Sequence, residues 1–185
     1  ELDWSDAPIP YPTLLANNSP RHTQLPGGLR LGATVDAEVD GQPNATATGD
    51  GADEDGVTLP SAIVINTTAN ITVNASGAGV LNAWVDFNLD GDWADAGEQI
   101  FTNQALVAGN NALSFAVPGG ASLGNSFGRF RISTASGLSF TGAATDGEVE
   151  DYAINIVNTQ FSIDDPTVVE GNAGTSNLVF TISRT

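Results

Sequence analysis

Residues 81–87, Leu-Asn-Ala-Trp-Val-Asp-Phe, decide the class of fold. This short run is mostly apolar, and an acidic segment that contains glycine follows it directly. A short apolar run bounded by turn residues is typical of a buried β-strand. We therefore expect residues 81–87 to form a central strand of a sheet.

Similar short runs recur along the chain, separated by Gly, Asn, Asp and Pro at intervals of about 8–12 residues. Apolar side chains alternate with other residues at Leu113, Phe115 and Val117, at Phe130 and Ile132, and at Tyr152, Ile154 and Ile156. Residues 62–66 and 70–73 are rich in β-branched side chains and predict a hairpin or two edge segments. No stretch of a dozen residues has a helical apolar period. The pattern predicts an all-β fold, an antiparallel β-sandwich that is jelly-roll-like or Ig-like and has long loops.

The last part of the chain is predicted to be separate from the rest. Residues 1–158 form the predicted sandwich domain, and a segment of the length of 159–185 is too short to bury a core by itself. Strand signals occur at 161–163, 168–169 and 178–182, and the last of these alternates Leu178, Phe180 and Ile182. We expect these orphan strands to be either part of a further domain or a tail that adds strands to a neighbouring molecule.

Charge excludes several classes of partner. Five Lys and Arg residues against 22 Asp and Glu residues give a formal net charge of −17. Binding to nucleic acid needs a basic face, and so does binding to an anionic membrane surface, so we expect neither. No apolar run is long enough to span a membrane, and the chain begins at Glu1 without an initiator Met, as expected of a mature chain or an excised fragment. A compact fold with this charge must tolerate repulsion or bind cations.

The strongest cation-binding pattern follows the predicted central strand. Oxygen-bearing side chains occupy the first, third and fifth positions from Asp86, and Gly91 at the sixth allows a tight turn. The twelfth position of an EF-hand loop would carry a Glu, but here Gly97 takes that place and Glu98 follows it. The pattern predicts a calcium loop between strands rather than an EF-hand; the alternative is a solvated acidic turn. The predicted ligands are Asp86, Asn88, Asp90, Asp92, Asp95 and Glu98.

Two further acidic groups suggest at least one more calcium ion, with ligands shared between loops; the alternative is a solvated acidic face. One group comprises Asp36, Glu38, Asp50, Asp53 and Asp55, and the other comprises Glu148, Glu150 and Asp151. Many protein oxygens favour Ca²⁺ over Mg²⁺. The absence of cysteine and the presence of a single histidine argue against zinc.

The remaining candidate residues favour a binding or structural role over catalysis. His22 is the only histidine and no nucleophile motif accompanies it, so we expect it to be structural and the protein not to be an enzyme. Trp84 is expected in the core, whereas Trp93, on the predicted calcium loop, could be exposed and stack on a sugar ring. Arg129 and Arg131 are expected to pair with carboxylates.

Several of these motifs together resemble a known bacterial domain. Residues 147–152, Gly-Glu-Val-Glu-Asp-Tyr, resemble the signature of the GEVED domain of large bacterial surface and secreted proteins. Residues 3–8, 53–57 and 84–92 are similar to other landmarks of that family, so the resemblance extends over about residues 1–158. Residues 161–184 resemble the start of a Calx-β domain, in which Glu170 would be a candidate calcium ligand.

The resemblance implies calcium-stabilised sandwiches, an extracellular location and tandem arrangement in adhesin-like proteins, but it names no ligand. We therefore expect a non-catalytic calcium-binding structural or adhesion module of a bacterial cell-surface or secreted protein. Its partners would be adjacent modules or neighbouring copies of the same protein. One alternative is a filament subunit that donates its C-terminal strands. Another is a calcium-dependent carbohydrate-binding module that presents Trp93 to glycans.

Overall fold

The computed structural model describes residues 1–49, 51, 53–159, 161–169, 171–175 and 177–184. Asp50 and Glu170, two of the predicted ligands, therefore lie outside the described residues. Among the described residues helical structure is limited to one 3₁₀ turn, Leu15–Asn17, and there is no helix of the length and apolar character needed to cross a membrane.

Short strands account for the regular structure. They are β1 (Leu2–Trp4), β2 (Arg21–Thr23), β3 (Val57–Thr58), β4 (Ile63–Val64), β5 (Thr68–Ala75), β6 (Gly79–Val85), β7 (Gln99–Leu106), β8 (Gly109–Ala116), β9 (Gly124–Ser133), β10 (Ala143–Ala144), β11 (Glu148–Val157), β12 (Phe161–Ile163) and β13 (Ile182–Arg184).

Two sheets form the sandwich. A five-stranded sheet has the order β4-β11-β9-β6-β7, and a three-stranded sheet has the order β3-β5-β8. Their facing side chains form one apolar core, to which Ile71 and Phe115 contribute from the smaller sheet and Leu81, Phe130 and Ile154 from the larger. Pairing within both sheets is antiparallel except between β4 and β11. The prediction of an all-β antiparallel sandwich with β6 as a central strand is confirmed.

The outer face of the larger sheet is covered by the N-terminal segment. Successive side chains of a strand point to opposite faces, so Phe130 and Ile132 enter the sandwich core while Arg129 and Arg131 point the other way. Arg129 Nη1 donates to the Pro12 carbonyl oxygen, and β1 and β2 form a small sheet with β10. Because both faces of the sheet are covered, charged residues of β9 and β11 are buried.

Three sequence expectations about strands are wrong in whole or in part. Residues 62–66 and 70–73 do not form a hairpin, because β4 pairs with β11 in one sheet and β5 lies between β3 and β8 in the other. Of the two edge segments predicted as the alternative, β4 is an edge strand and β5 is not. Val168 and Val169 are outside any strand, and β13 begins only at Ile182. Leu178 and Phe180 are therefore exposed without forming a strand. Pairing with strands far along the chain, which a local pattern does not contain, decides the first of these.

Candidate metal centres

The loop between β6 and β7 is held in shape by its own side chains. Asp86 is fully buried, and its Oδ1 accepts a hydrogen bond from the Leu89 amide at 2.6 Å. Its Oδ2 accepts from the Gly91 amide at 3.0 Å and from the Tyr11 hydroxyl at 2.6 Å. Gly91 has φ +91°, a left-handed conformation that glycine adopts readily, as its position in the loop predicted.

In the next part of the loop, a side-chain oxygen accepts a hydrogen bond from the backbone amide two residues further on, and this contact occurs three times. Asn88 Oδ1 accepts from the Asp90 amide at 3.0 Å, and Asp90 Oδ1 accepts from the Asp92 amide at 3.2 Å. Asp92 Oδ1 accepts from the Ala94 amide at 2.7 Å. These contacts between side chains and backbone give the loop a tight curvature. One carboxylate oxygen from each of Asp90, Asp92 and Asp95 lies within 4.8 Å of the other two.

Asn88 and Glu98 complete the loop without joining that group of three carboxylates. The Asn88 amide nitrogen donates to Asp90 Oδ2 at 3.1 Å and to Asp95 Oδ2 at 2.7 Å. Glu98 accepts from the Phe87 amide at 3.0 Å and from the Asp95 amide at 3.2 Å. Burial raises the pKa of Glu98 to about 7, although the two amides favour its ionised form. Three of the six predicted ligands thus converge as carboxylates, Asn88 contacts two of them through its amide, and Asp86 and Glu98 support the loop.

Trp93 fastens this loop to the protein. Its side chain is only 2% exposed, its Nε1 donates to the Phe127 carbonyl oxygen at 3.1 Å, and the Arg129 guanidinium lies 4.3 Å from its ring centroid. Tyr11 packs against the same ring with centroids 4.5 Å apart. The expectation of an exposed Trp93 is wrong, because the ring is used for packing. The prediction that Trp84 is buried is confirmed.

A second acidic centre joins three distant parts of the chain. Carboxylate oxygens of Asp36, Glu38 and Asp53 lie within 4.8 Å of one another, and so do those of Asp3, Asp53 and Glu148. Asp53 belongs to both groups. Ionised carboxylates at this separation repel by about 3–4 kcal/mol per pair at an effective dielectric constant of about 20. The second group is buried, so little water is present to screen this repulsion.

Backbone amides orient the buried group. Asp3 Oδ2 accepts from the Val149 amide at 2.8 Å, and Glu148 Oε2 accepts from the Leu31 amide at 2.5 Å. Glu148 Oε1 is buried and has no hydrogen-bond partner among the described residues. Burial, followed by the negative charges of Glu150 and Asp3, raises the pKa of Glu148 well above its usual value.

Asp3 was not among the ligands expected from the sequence. Asp3 is far in sequence from the three acidic groups that were predicted to bind cations. It is the first residue of segment 3–8, which resembles the GEVED family. Strand β1 pairs with β2, with Asp3 opposite His22, and this pairing brings Asp3 to the start of β11. Only tertiary contacts could show this.

The other predicted ligands of the two acidic groups support loops. Glu150 Oε1 accepts from the amides of Asp55 and Gly56 at 3.0 and 2.8 Å, and its Oε2 accepts from the Tyr152 hydroxyl at 3.1 Å. Asp55 Oδ1 accepts from the Ala33 amide at 2.8 Å. These carboxylates hold residues 31–33 and 55–56 against β11.

Asp151 forms a buried ion pair. Arg129 Nε lies 2.7 Å from Asp151 Oδ1 and its Nη2 lies 2.7 Å from Oδ2, a bidentate arrangement in which both side chains are 0% exposed. Asp151 Oδ2 also accepts from the Ala7 amide at 2.9 Å. The expectation that Arg129 pairs with a carboxylate is confirmed, and Asp151 is the partner that neutralises it.

His22 has the structural environment expected for it. Its Nδ1 lies 2.7 Å from the Asp146 carbonyl oxygen, and its Nε2 accepts from Arg131 Nε at 3.0 Å. Burial, and then the charge of Arg131, hold the pKa of His22 well below its usual value. Arg131 donates its other bonds to carbonyl oxygens, including that of Gly142 at 2.8 Å, so carboxylate pairing is not seen for it in the described part of the chain.

A comparison with known protein families gives a match for the part of the chain that extends from β6 to β11. Residues 80–155 match the GEVED domain. The GEVED match includes the calcium loop candidate, the Arg129–Asp151 pair and Glu148, whereas Asp3 and Asp53 precede it. A search among curated proteins found no match to the chain.

Proposed function

We propose that this chain is a non-catalytic calcium-binding structural or adhesion module of a bacterial cell-surface or secreted protein, with an extracellular location. The observation that carries the proposal is the convergence of Asp90, Asp92 and Asp95 in a loop whose turns are fixed by backbone amides. A loop of this kind presents several oxygens to one point, as a hard cation requires.

Ligand chemistry supports calcium as the ion. The converging groups are carboxylates, and hard cations such as Ca²⁺ prefer oxygen ligands. Ca²⁺ accepts six to eight oxygens in flexible geometry, whereas Mg²⁺ requires a near-ideal octahedron and keeps several waters. The chain has no cysteine, and its single histidine is buried in hydrogen bonds, which disfavours zinc.

The structural part of the proposal rests on how the polar groups are used. Most of the buried polar side chains near β11 form hydrogen bonds or ion pairs that connect strands and loops. Examples are Glu150, the Arg129–Asp151 pair and His22. The match of residues 80–155 to a domain family fits a module within a longer surface protein. The resemblance of the last residues to a Calx-β domain would make the neighbouring module one of that type, and this stays a prediction.

Thermal unfolding in EDTA and in 10 mM calcium chloride tests the proposal. Extracellular modules bind calcium with Kd values of about 10⁻⁴–10⁻³ M. Binding at that strength would stabilise the folded chain by about 1.4–2.7 kcal/mol. We expect Tm to rise by about 3–10 °C.

A loop variant and a matched control assign the effect to the loop. Asp90→Asn combined with Asp92→Asn is expected to reduce the rise in Tm, because two converging carboxylates become neutral. Asp165→Asn changes an exposed carboxylate outside both centres and is expected to leave the rise unchanged. A Tm that is the same in EDTA and in calcium for the unaltered chain would exclude the proposal.

Strand donation is a second candidate, favoured by the exposed apolar side chains of the tail. Phe161 and Ile182 are each 70% exposed, and β12 pairs only with β13 among the strands described. A two-stranded ribbon is marginally stable in water by itself, so a sheet edge of another copy would stabilise it. No comparable observation favours carbohydrate binding, because Trp93 is buried.

Sedimentation velocity over a range of concentrations tests strand donation. The full chain is expected to form larger species as concentration rises, and a chain without residues 160–185 is expected to remain monomeric. Identical profiles for the two chains would contradict the filament hypothesis and would leave calcium binding unaffected.

A further inference from the structure

We infer that Asp3, Asp53 and Glu148 bind a second calcium ion in the interior of the protein, and that this ion fastens the N-terminal strand β1 to β11. The inference rests on the proposed calcium-binding function and assigns it a buried site distinct from the β6–β7 loop. The N-terminal segment would then depend on the ion for its place on the outer face of the larger sheet.

The three carboxylates converge from distant parts of the chain. They come from β1, from the segment before β3 and from the first residue of β11, yet one oxygen of each lies within 4.8 Å of the others. Their exposed fractions are 1% for Asp3, 5% for Asp53 and 0% for Glu148. Burial of three adjacent carboxylates in their ionised form is unfavourable unless positive charge accompanies them.

Glu148 carries one acceptor oxygen that is not used by the described residues. Its Oε1 is buried and has no hydrogen-bond partner among the described residues, while its Oε2 accepts from Leu31. Most buried carboxylate oxygens have a hydrogen-bond partner, so the free acceptor on Glu148 is a position that a ligand can occupy. A cation bound by the three carboxylates would supply that partner.

Backbone amides already orient two of the three carboxylates. The Val149 amide fixes Asp3 and the Leu31 amide fixes Glu148, so the side chains need little rearrangement to bind an ion. Both contacts join segments that are far apart in sequence. An ion at this point would add a bond between the same segments and would hold both carboxylates in the positions in which they accept from these amides.

The outer acidic group provides an access path. Asp36 is exposed, Glu38 is partly buried, and both carboxylates lie within 4.8 Å of Asp53, which is also a member of the buried group. An ion approaching from solvent meets these residues first and reaches Asp3 and Glu148 through Asp53. The graded burial fits a site that captures a cation at the surface and holds it inside.

Equilibrium dialysis with Ca²⁺ alone tests the inference by counting bound ions per chain. The unaltered chain is expected to bind at least two ions. The loop variant Asp90→Asn with Asp92→Asn is expected to lose one ion and to keep the buried one. Glu148→Gln and, independently, Asp3→Asn are expected to keep the loop ion and to weaken the second by about tenfold or more, because ligand charge sets affinity.

The outcomes separate this inference from the proposed function. An unaltered chain that binds no calcium overturns both. A loop variant that binds none, while the unaltered chain binds, overturns the buried site alone, and so does unchanged binding by Glu148→Gln and Asp3→Asn.

Amide hydrogen exchange on the loop variant provides a test that leaves the buried side chains intact. We expect calcium to slow exchange at the Val149 and Leu31 amides by about tenfold or more, because the ion stabilises their acceptors. As an internal comparison, the Ala116 amide lies in β8, away from the site, and is expected to show a smaller change. Equal rates at Val149 and Leu31 in EDTA and in calcium would overturn the inference even if the Glu148 and Asp3 variants fail to fold.

Discussion

Asp151 and Arg129 form a charged pair within a packed interior, where neither group reaches water. Arg129 also lies over the Trp93 ring. Its guanidinium therefore contacts both Asp151 of β11 and Trp93 of the β6–β7 loop. Breaking a buried pair by removing one partner leaves an uncompensated charge. We therefore expect Asp151 to stabilise the fold by neutralising Arg129.

Asp151→Asn is expected to lower the free energy of unfolding by about 3–5 kcal/mol, because Arg129 stays buried without its counterion. Urea denaturation of the variant and of the unaltered chain in the same calcium concentration measures the change. Asp165→Asn, which changes an exposed carboxylate, is the matched control and is expected to have an effect within about 0.5 kcal/mol. A loss below 1 kcal/mol in Asp151→Asn would show that the pair contributes little.

Asn88 offers a second prediction at the residue scale. Its amide nitrogen donates to Asp90 and Asp95, so it provides the two carboxylates with a partner. Asn88→Asp replaces that donor with another negative charge. We expect a lower Tm in EDTA and a larger rise of Tm on addition of calcium than in the unaltered chain, because the added carboxylate repels its neighbours until an ion binds them.

Differential scanning fluorimetry in EDTA and in 10 mM calcium measures both parts of the Asn88→Asp prediction. The two parts have opposite signs, so a general loss of stability cannot imitate the result. A variant that is less stable than the unaltered chain by the same amount in both conditions would count against an ion in this loop.

At the scale of the elements, β11 begins where only glycine fits. Gly147 has φ +88°, and a Cβ at this position would collide with the carbonyl oxygen of Ile132. The turn before β11 places Glu148 and Glu150 towards residues 31 and 56, and Asp151 on the other face towards Arg129. The turn at Gly147 thus lets β11 place Glu148 and Glu150 against the backbone amides on one face and Asp151 against Arg129 on the other.

Gly147→Ala is expected to destabilise the fold by about 1–3 kcal/mol, because alanine is strained at this φ and meets Ile132. Gly120→Ala is the matched control, since a Cβ at Gly120 has no neighbour within 4 Å. Chemical denaturation of the two variants gives the comparison. Equal stability of the two would mean that the turn before β11 relaxes easily.

Local patterns predicted some elements well and others poorly, for a physical reason. Alternation in β9 and β11 was visible because both strands lie centrally and bury one apolar face. Strand β4 pairs within its sheet with β11, which lies far along the chain, and a local pattern does not contain this partner, so the predicted hairpin failed. The loop after β6 was predicted from its spacing, whereas Asp3 depends on tertiary contacts and was missed.

At the scale of the whole molecule, two candidate ions would act on different parts of one sandwich. One lies in the loop that joins β6 to β7, and the other connects β1, residue 53 and the start of β11. Binding two calcium ions would change the formal net charge from −17 to −13, since each ion adds two positive charges. The acidic composition would then have a specific use, because the ions would neutralise part of it where carboxylates converge.

A crystal structure of the chain grown in millimolar calcium, with anomalous scattering recorded at a long wavelength, would locate the bound ions. We predict one anomalous peak among Asp90, Asp92 and Asp95 and a second among Asp3, Asp53 and Glu148, each with calcium–oxygen distances of about 2.3–2.6 Å. Density for water or no density at both positions, in crystals that contain millimolar calcium, would contradict this prediction.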